Sequence, residues 1–544
     1  MILSPTIHRV GTRALLIDLA DLDQVMSWHA SLTSQPLRGQ RSVIAAAQTV
    51  LLEFDSPRDT QSAVHALSSY QPTASGVADT REVTIDVHYD GENLDNTARL
   101  LEVSTEELIR RHTSQRWMAA FGGFAPGFTY CVPSDANPFQ WNIPRHDSPR
   151  TAVPAGAVAL AGDFSAVYPR QSPGGWQLIG HTDTLMWDTS ADQPALLNPG
   201  DTVIYRAVRE NINVQKSDSE EQKPTAPARR PVVPGRPVVR MDKPGLQSLF
   251  QDLGRPGHGD IGVNSSGAVD RASARAANAA VGNSRHAVVI ENIGGFTITA
   301  LIDTAVAVTG ADTTVTVTNR DGIASRHDLA SPIALLAGDT LTVDAPTIGA
   351  RNYLAIRGGC AAPEVLESAA SDVLSGLGPD AVTAGEQVKS AGRNVSAVNT
   401  AITNPLRVSG DGATTVRCVL GPRADWFSEA TVQRFLDTIW DVSGQSNRIG
   451  LRLNAPGEDG GLERDQDGEL ASEGMVGGSI QVPPNGMPVV FLADHPVTGG
   501  YPVIATVIPE DLDIAGQLPP GSTIRFVAVD PDHPSSTTTP QKES

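Results

Sequence analysis

The chain has 544 residues, with 41 Lys and Arg against 61 Asp and Glu, for a formal net charge of −20. That acid surplus excludes a general nucleic-acid binder, which needs a basic face, while the length allows roughly three to four domains. Fifty glycines, 39 prolines and 5% aromatics suit turn-rich β architecture.

Along the chain, Ala14–Leu19 reads as a strand, Leu22–Leu32 as a helix, Val50–Phe54 as a strand, Thr60–Leu67 as a helix and Val83–His88 as a strand. This order predicts a small ferredoxin-like α/β subdomain over 1–85. Ser104 and Glu107 have capping-box spacing, so a short helix starts there. Strands and turns then dominate a second domain over 86–212. Residues 213–235 hold Ser, Asp and Glu followed by Pro, Ala and Arg, a composition that buries little apolar surface and predicts a disordered linker. A second body, 236–530, is expected to hold two β-barrel subdomains, and 531–544 a disordered tail. Pro199-Gly-Asp-Thr-Val-Ile-Tyr-Arg-Ala-Val208 closes the first body, and Pro520-Gly-Ser-Thr-Ile-Arg-Phe-Val-Ala-Val529 closes the second. Ala337-Gly-Asp-Thr-Leu-Thr-Val343 is a looser copy. Each is a glycine turn feeding an alternating strand, which favours related barrels in tandem.

Cys131, Cys360 and Cys418 are odd in number, widely spaced and in no Cys-x-x-Cys pair, so neither a disulfide framework nor a zinc ribbon is expected. The simplest expectation is a reducing cytoplasm. The N-terminus lacks the basic and apolar segments of a signal peptide. No apolar stretch approaches the roughly 20 residues of a membrane helix.

Three constellations can carry chemistry. Phe121-Gly-Gly-Phe-Ala-Pro-Gly-Phe-Thr-Tyr130 is followed by Pro144-Arg145, Pro149-Arg150, Val153-Pro-Ala-Gly, Tyr168-Pro and Ser172-Pro-Gly-Gly-Trp-Gln-Leu-Ile-Gly180-His181. Glycine and proline make this rigid loop architecture. Its aromatics either wall a small-molecule pocket or fill barrel corners. Arg145 and Arg150 either clamp a carboxylate or phosphate or form surface ion pairs. The second constellation, Pro244-Gly-Leu to Gln251-Asp-Leu-Gly-Arg-Pro-Gly257 and Ser266-Gly-Ala-Val-Asp-Arg271, holds six glycines from Gly245 to Gly267. Asp270 is placed as the N-cap of a helix ending near Gly282, with Arg271 and Arg275 on one face. Those arginines are either solvated or, with Arg255 and backbone N–H groups, receive an anion at the helix start. The third joins Ser472-Glu473-Gly474, Gln481, Asp494 and Thr498-Gly-Gly-Tyr501-Pro. Glu473 and Asp494 either hold Mg²⁺, act as acid and base, or serve structure; Gln481 can hydrogen-bond an amide.

The ordered set Gly-Phe-Ala-Pro-Gly-Phe, Pro-Arg, Pro-Arg, Val-Pro-Ala-Gly, Tyr-Pro and Ser-Pro-Gly-Gly-Trp resembles the B subunit of bacterial 5-oxoprolinase. That family is also called allophanate hydrolase subunit 1 and includes a sporulation kinase inhibitor. The second body, through the Gly245–Gly267 motifs, Ala277-Asn278, Thr309-Gly-Ala-Asp312, Tyr353-Leu-Ala, Ser472-Glu-Gly474 and Thr498-Gly-Gly-Tyr-Pro502, resembles the C subunit, or allophanate hydrolase subunit 2. The resemblance implies a fusion of the two subunits, mainly β with α+β, built on tandem cyclophilin-like β-barrel domains. It implies an ATP-hydrolysing 5-oxoprolinase, a hydrolase on cyclic amides, completed by a separate partner like the family's A subunit. ATP and Mg²⁺ are implied with it. On this reading Asp252, Asp270, Glu473 and Asp494 are the catalytic candidates, with Asp252 and Asp494 the metal candidates. Arg145, Arg150, His181, Gln251, Arg255, Arg271, Gln481, Thr498 and Tyr501 are expected to bind substrate or phosphate. No nucleic-acid or membrane partner is expected, and a homo-oligomer is compatible.

Two departures weaken basic positions. Where the C-subunit family has Gly-Ser-Arg-Ser-Thr, this chain has Glu367-Ser-Ala-Ala-Ser371, with Ala369 at the arginine. Where the B-subunit family has Arg-Thr-Pro after Ile-Gly, this chain has His181-Thr-Asp183. The sequence lacks a P-loop, a Met-Lys-Met biotin site, a His-Glu-x-x-His helix and an amidase Ser-Ser-Lys system. Two other functions remain open. One is the carboxyltransferase part of a biotin-dependent urea carboxylase or allophanate system; the other is a non-catalytic inhibitor of a histidine kinase.

Overall fold

A computed structural model describes residues 5–72, 81–134, 139–146, 150–208, 233–408, 410–457, 460–466 and 470–534. Most of the expected linker and tail, together with Pro149, lies outside them.

The first element is a small antiparallel sheet in the order Thr6–Val10, Ala14–Asp18, Thr49–Phe54, Gln40–Ala45. Helices Leu22–Ser34 and Pro57–Leu67 belong to the same layer. Asp21 and Ser56 start these helices by accepting the N–H of Gln24 and Asp59, and Pro57 brings a preset φ to the first turn. Val25, Trp28 and Leu32, three to four residues apart, bury one helix face in the core. A ferredoxin arrangement alternates strand, helix, strand, strand, helix, strand; here two strands precede each helix. The strand expected at Val83–His88 forms as Glu82–Val87, but it leaves this layer and opens the next sheet. The reason is its partner: it pairs in parallel with Thr202–Ala207, over a hundred residues later.

That next sheet has seven strands and curls until His88 and His181 exchange backbone hydrogen bonds of 2.8 Å across its two ends. Ser104 caps the helix Thr105–Ser114 through the Glu107 N–H, as its spacing requires. The last body is a closed seven-stranded barrel from Thr414–Leu420 to Thr523–Ala528. The two closing segments echo each other in three dimensions. Thr202–Ala207 and Thr523–Ala528 each lie parallel to the strand that opens their own barrel. The looser copy does something else: Thr340–Val343 sits inside a sheet, antiparallel to Phe296–Ala300 and Val315–Thr318.

Between the two barrels lies a body of one seven-stranded and one five-stranded sheet whose apolar faces share a core. Helix Arg271–Ala280 packs Ala274, Ala277 and Ala280 onto the five-stranded sheet, where the small side chains allow close approach. Cys131, Cys360 and Cys418 are free and buried, and burial pushes each thiol up to about 12. No helix among the described residues is long and apolar enough to cross a membrane.

Candidate functional site

The glycine motifs of the two halves interlock. A Cβ on Gly122 would run into the Asp260 carbonyl, and one on Gly262 into the Ala125 carbonyl. A Cβ on Gly123 would stand 2.6 Å from Thr498 Oγ1, which accepts the Phe124 N–H at 3.3 Å. The Gly127 N–H donates to the Ile261 carbonyl. Phe124 and Ser266 hold left-handed backbone, φ 62° and 48°, on either side of this seam. These glycines therefore serve backbone contact between halves. Gly122→Ala should loosen the seam by about 1–3 kcal/mol, as overpacking does. Limited proteolysis is expected to cut the variant between halves faster than the parent; equal rates would refute the seam's role.

The four acids expected to do chemistry are each engaged in structure. Asp252 accepts the Gly254 N–H, the Ser368 hydroxyl and the Ala369 N–H, pinning two loops together. Asp270 is the helix N-cap, and its oxygens receive the Ser273 N–H, the Ser273 hydroxyl and the Gln517 amide. Glu473 pairs with Arg423, which also grips Asp18 of the small layer at 2.6 Å. Asp494 faces Arg448 at 2.9 Å and accepts the Ser266 hydroxyl and the Val373 N–H. Arg448 also meets Glu291 at 2.5 Å and donates to the Gly267 carbonyl. Arg448, Glu291 and Asp494 are at most 2% exposed. No group of three His, Cys, Asp or Glu suited to a metal ion occurs among the described residues. With three donors on Asp252, four on Asp494 and no such group around either among the described residues, neither fits a magnesium site.

The expected ligand-binding residues disperse. Arg255 is 2% exposed and donates to the Ala370 carbonyl, while its Nε and Nη1 have no hydrogen-bond partner among the described residues. Burial pushes its guanidinium down, and Asp372, Asp252 and Asp494 oppose that shift from a distance. Gln251 donates to the Ser371 carbonyl from full burial. Arg150 pairs with Glu92 and holds Asn93. His181 is exposed, bonds Asp90 at 2.7 Å and stacks on His88. Arg145 is exposed beside Tyr130 and Tyr168. Gln481 donates to the Tyr501 carbonyl, and the Tyr501 side chain is exposed. Phe121, Phe128, Tyr168 and Trp176 fill a core shared with the small layer instead of walling a pocket. At the missing-arginine position, Ala369 is buried in the apolar core of the middle body.

Arg271 alone of the nominated residues lines the large cavity. This space, about 550 Å³, opens where the small layer, the start of helix Arg271–Ala280 and the last barrel meet. Five arginines line it, Arg13, Arg41, Arg271, Arg275 and Arg407, against three carboxylates, Glu53, Glu510 and Asp513. Arg13 pairs with Glu510, Arg41 with Asp55 and Arg407 with Asp511. Among the described residues, the guanidinium groups of Arg271 and Arg275 have no acid within ion-pair distance; that of Arg271 donates only to the Ser266 carbonyl. Burial, then the Arg275 guanidinium, push Arg271 down from its usual range, with Asp513 pulling the other way. Asp513 accepts the Arg271 N–H at 2.8 Å. Burial and the Asp270 carboxylate push Asp513 up to about 6. Such a pairing of an under-compensated cation with a shifted acid in a cavity is the physical mark of a ligand site.

Asp513, Arg13, Arg41, Arg407 and the hub Arg448 escape a reading of the sequence. Pro509-Glu-Asp-Leu-Asp513 looks like any helix start with acids in its first turn. Only the fourfold spacing of Arg271 and Arg275 signals their shared face.

The carboxyltransferase domain, subdomain C and D, matches residues 5–197, and the carboxyltransferase domain, subdomain A and B, matches residues 261–528. The chain is 32% identical over 300 residues to the C subunit of 5-oxoprolinase from Escherichia coli (strain K12), covering 53% of this chain and 91% of that protein. It is 41% identical over 110 residues to the B subunit of 5-oxoprolinase from Escherichia coli O157:H7, covering 20% of this chain and 49% of that one, so about half of that relative's length is matched. The crystal structure of TTHA0988 superposes with a TM-score of 0.78 at 29% identity, covering 94% of this chain and 99% of that chain. Both parts of the match lie in one polypeptide, and the chain belongs to the carboxyltransferase-domain family that includes the 5-oxoprolinase subunits.

Proposed function

We propose that this chain is the fused B–C component of an ATP-dependent 5-oxoprolinase and that its arginine cavity holds the anionic part of the reaction. The observation that carries this reading is the pair Arg271 and Arg275, which face a 550 Å³ cavity without an acid partner among the described residues. The names of the relatives supply the substrate class. A lactam amide is resonance-stabilised and opens slowly in water. Moving the ATP γ-phosphoryl onto its carbonyl oxygen, with release of ADP, makes that oxygen a leaving group. Water can then attack the activated carbon, the ring nitrogen takes a proton as the C–N bond opens to leave an acyl phosphate, and a second water hydrolyses that acyl phosphate to the carboxylate and inorganic phosphate. Phosphoryl transfer depends mainly on cationic positioning, and guanidinium forks in a partly desolvated cavity suit it. No step is assigned to a metal ion on these residues.

The test supplies the purified chain with a protein like the family's A subunit, then measures 5-oxoproline-dependent ATP hydrolysis. Turnover that needs both proteins supports the reading, and no turnover with both present sinks it. The matched carboxyltransferase domains favour a second reading, carboxyl transfer to an amide such as urea. Biotin-dependent carboxyl exchange, with no response to 5-oxoproline, would select it.

A further inference from the structure

We propose that Asp513 is the specificity-determining residue of the arginine cavity, and that it selects an oxyanion that binds together with a proton. This rests on the cavity being the anion site. Helix Pro509–Gly516 of the last barrel presents Asp513 to the first turn of helix Arg271–Ala280. That place, the first turn where Asp513 takes the Arg271 N–H and Asp270 the Ser273 N–H, is where an anion would otherwise settle. Two carboxyls therefore meet one helix start, and they are not equivalent. Asp270 has three donors on its oxygens and caps the helix. Asp513 receives only the Arg271 N–H among the described residues, and it lines the cavity.

The charges around Asp513 come from every side. Asp270 and Arg271 approach from the facing helix, and Arg407 from the segment before the last barrel. Glu510, on the helix of Asp513 itself, is neutralised by Arg13. Arg41, Glu53 and His495 close the cavity from the small layer and from a loop of the last barrel. Burial and Asp270 raise Asp513 to about 6, whereas the Arg271 N–H, Arg271 and Arg407 hold it lower than burial alone would. An oxyanion seated on Arg271 and Arg275 adds a further negative charge close by, which raises Asp513 again. The carboxyl then carries a proton and donates it in a hydrogen bond to the oxyanion. Ligands rich in acceptor oxygens, phosphoryl and carboxylate groups, are favoured over halide.

By linkage, affinity falls as pH rises above the free-state value and is highest below it, by up to about tenfold per pH unit. Titration calorimetry on the full chain at pH 6, 7 and 8, at constant ionic strength, tests this with sulfate, which does not itself titrate in that range. Two buffers of unlike ionisation enthalpy count the protons. Uptake approaching one proton and a falling affinity are expected for the wild type, and Asp513→Asn should flatten the pH profile. A pH-independent wild type, or a variant that keeps the slope, overturns the proposal. Sulfate binding without proton uptake overturns this inference alone. The absence of sulfate binding at every pH overturns it together with the anion reading. The wild-type proton count needs no variant, so a misfolded Asp513→Asn would not leave the question open.

Discussion

Replacing Arg271 and Arg275 together with alanine should cut 5-oxoproline-dependent ATP turnover and sulfate affinity while leaving the fold intact. Hydrogen bonds to charged groups contribute about 1.5–3 kcal/mol each, so each guanidinium is expected to account for roughly a ten- to hundredfold loss. The pair should lose about 10²- to 10⁴-fold if the two act independently. Stability is not expected to fall, because neither side chain has an acid partner among the described residues and burial already strains Arg271 toward its neutral form. An Arg271→Lys change keeps the charge but loses the planar fork, so it should restore only part of the affinity. Melting curves, sulfate titration and kcat/KM measured on the same preparations separate these effects. Unchanged affinity in the double variant would remove the cavity from the mechanism.

Arg448→Met should be the most destabilising single change in the chain. Arg448 joins Glu291 in strand Val289–Ile293 of the middle body to Asp494 beside the last barrel. All three are buried, and the Gly267 carbonyl takes a fourth contact. Losing the cation leaves two carboxylates without their main partner. Arg351, 3.5 Å from Glu291, and the Ser266 hydroxyl on Asp494 compensate only in part. Breaking a buried pair in this way costs about 3–5 kcal/mol. For bodies of this size that is a fall in Tm of about 6–20 °C. The sign of the pH response is a second readout. With Arg448 gone, burial pushes the Glu291 carboxyl up from where Arg448 held it, so the variant should recover part of its lost stability relative to the parent as pH falls. Adding Glu291→Gln and Asp494→Asn should recover part of the loss at neutral pH. A single variant that melts with the parent would show that the hub is not what docks the two bodies.

Local structure is legible in the sequence wherever neighbours in the chain satisfy one another. The capping spacing of Ser104 with Glu107 and of Asp270 with Ser273, the glycine turns before Thr202 and Thr523, and the shared face of Arg271 and Arg275 all depend on residues a few positions apart. The motif order that carries the family resemblance is likewise written in adjacent residues. Glycine density in the two loops marks close backbone approach. What approaches is not local: Asp260 meets Gly122, and Thr498 meets Gly123, from the other half of the chain.

The acids show why the rest was hidden. Glu473 and Asp494 look like catalytic carboxylates until Arg423 and Arg448, some fifty residues upstream, are seen to neutralise them. Asp513 looks like an ordinary helix-start acid until the fold brings Asp270 and a cavity beside it. The sequence by itself determined the capped helices, the closing strand of each barrel and the family. Tertiary structure alone decided which charges are spent on one another and which still face open space. The physical reason is that a helix cap or a strand's alternation is settled by its neighbours in the chain, whereas the fate of a charge depends on what burial brings within a few ångströms of it.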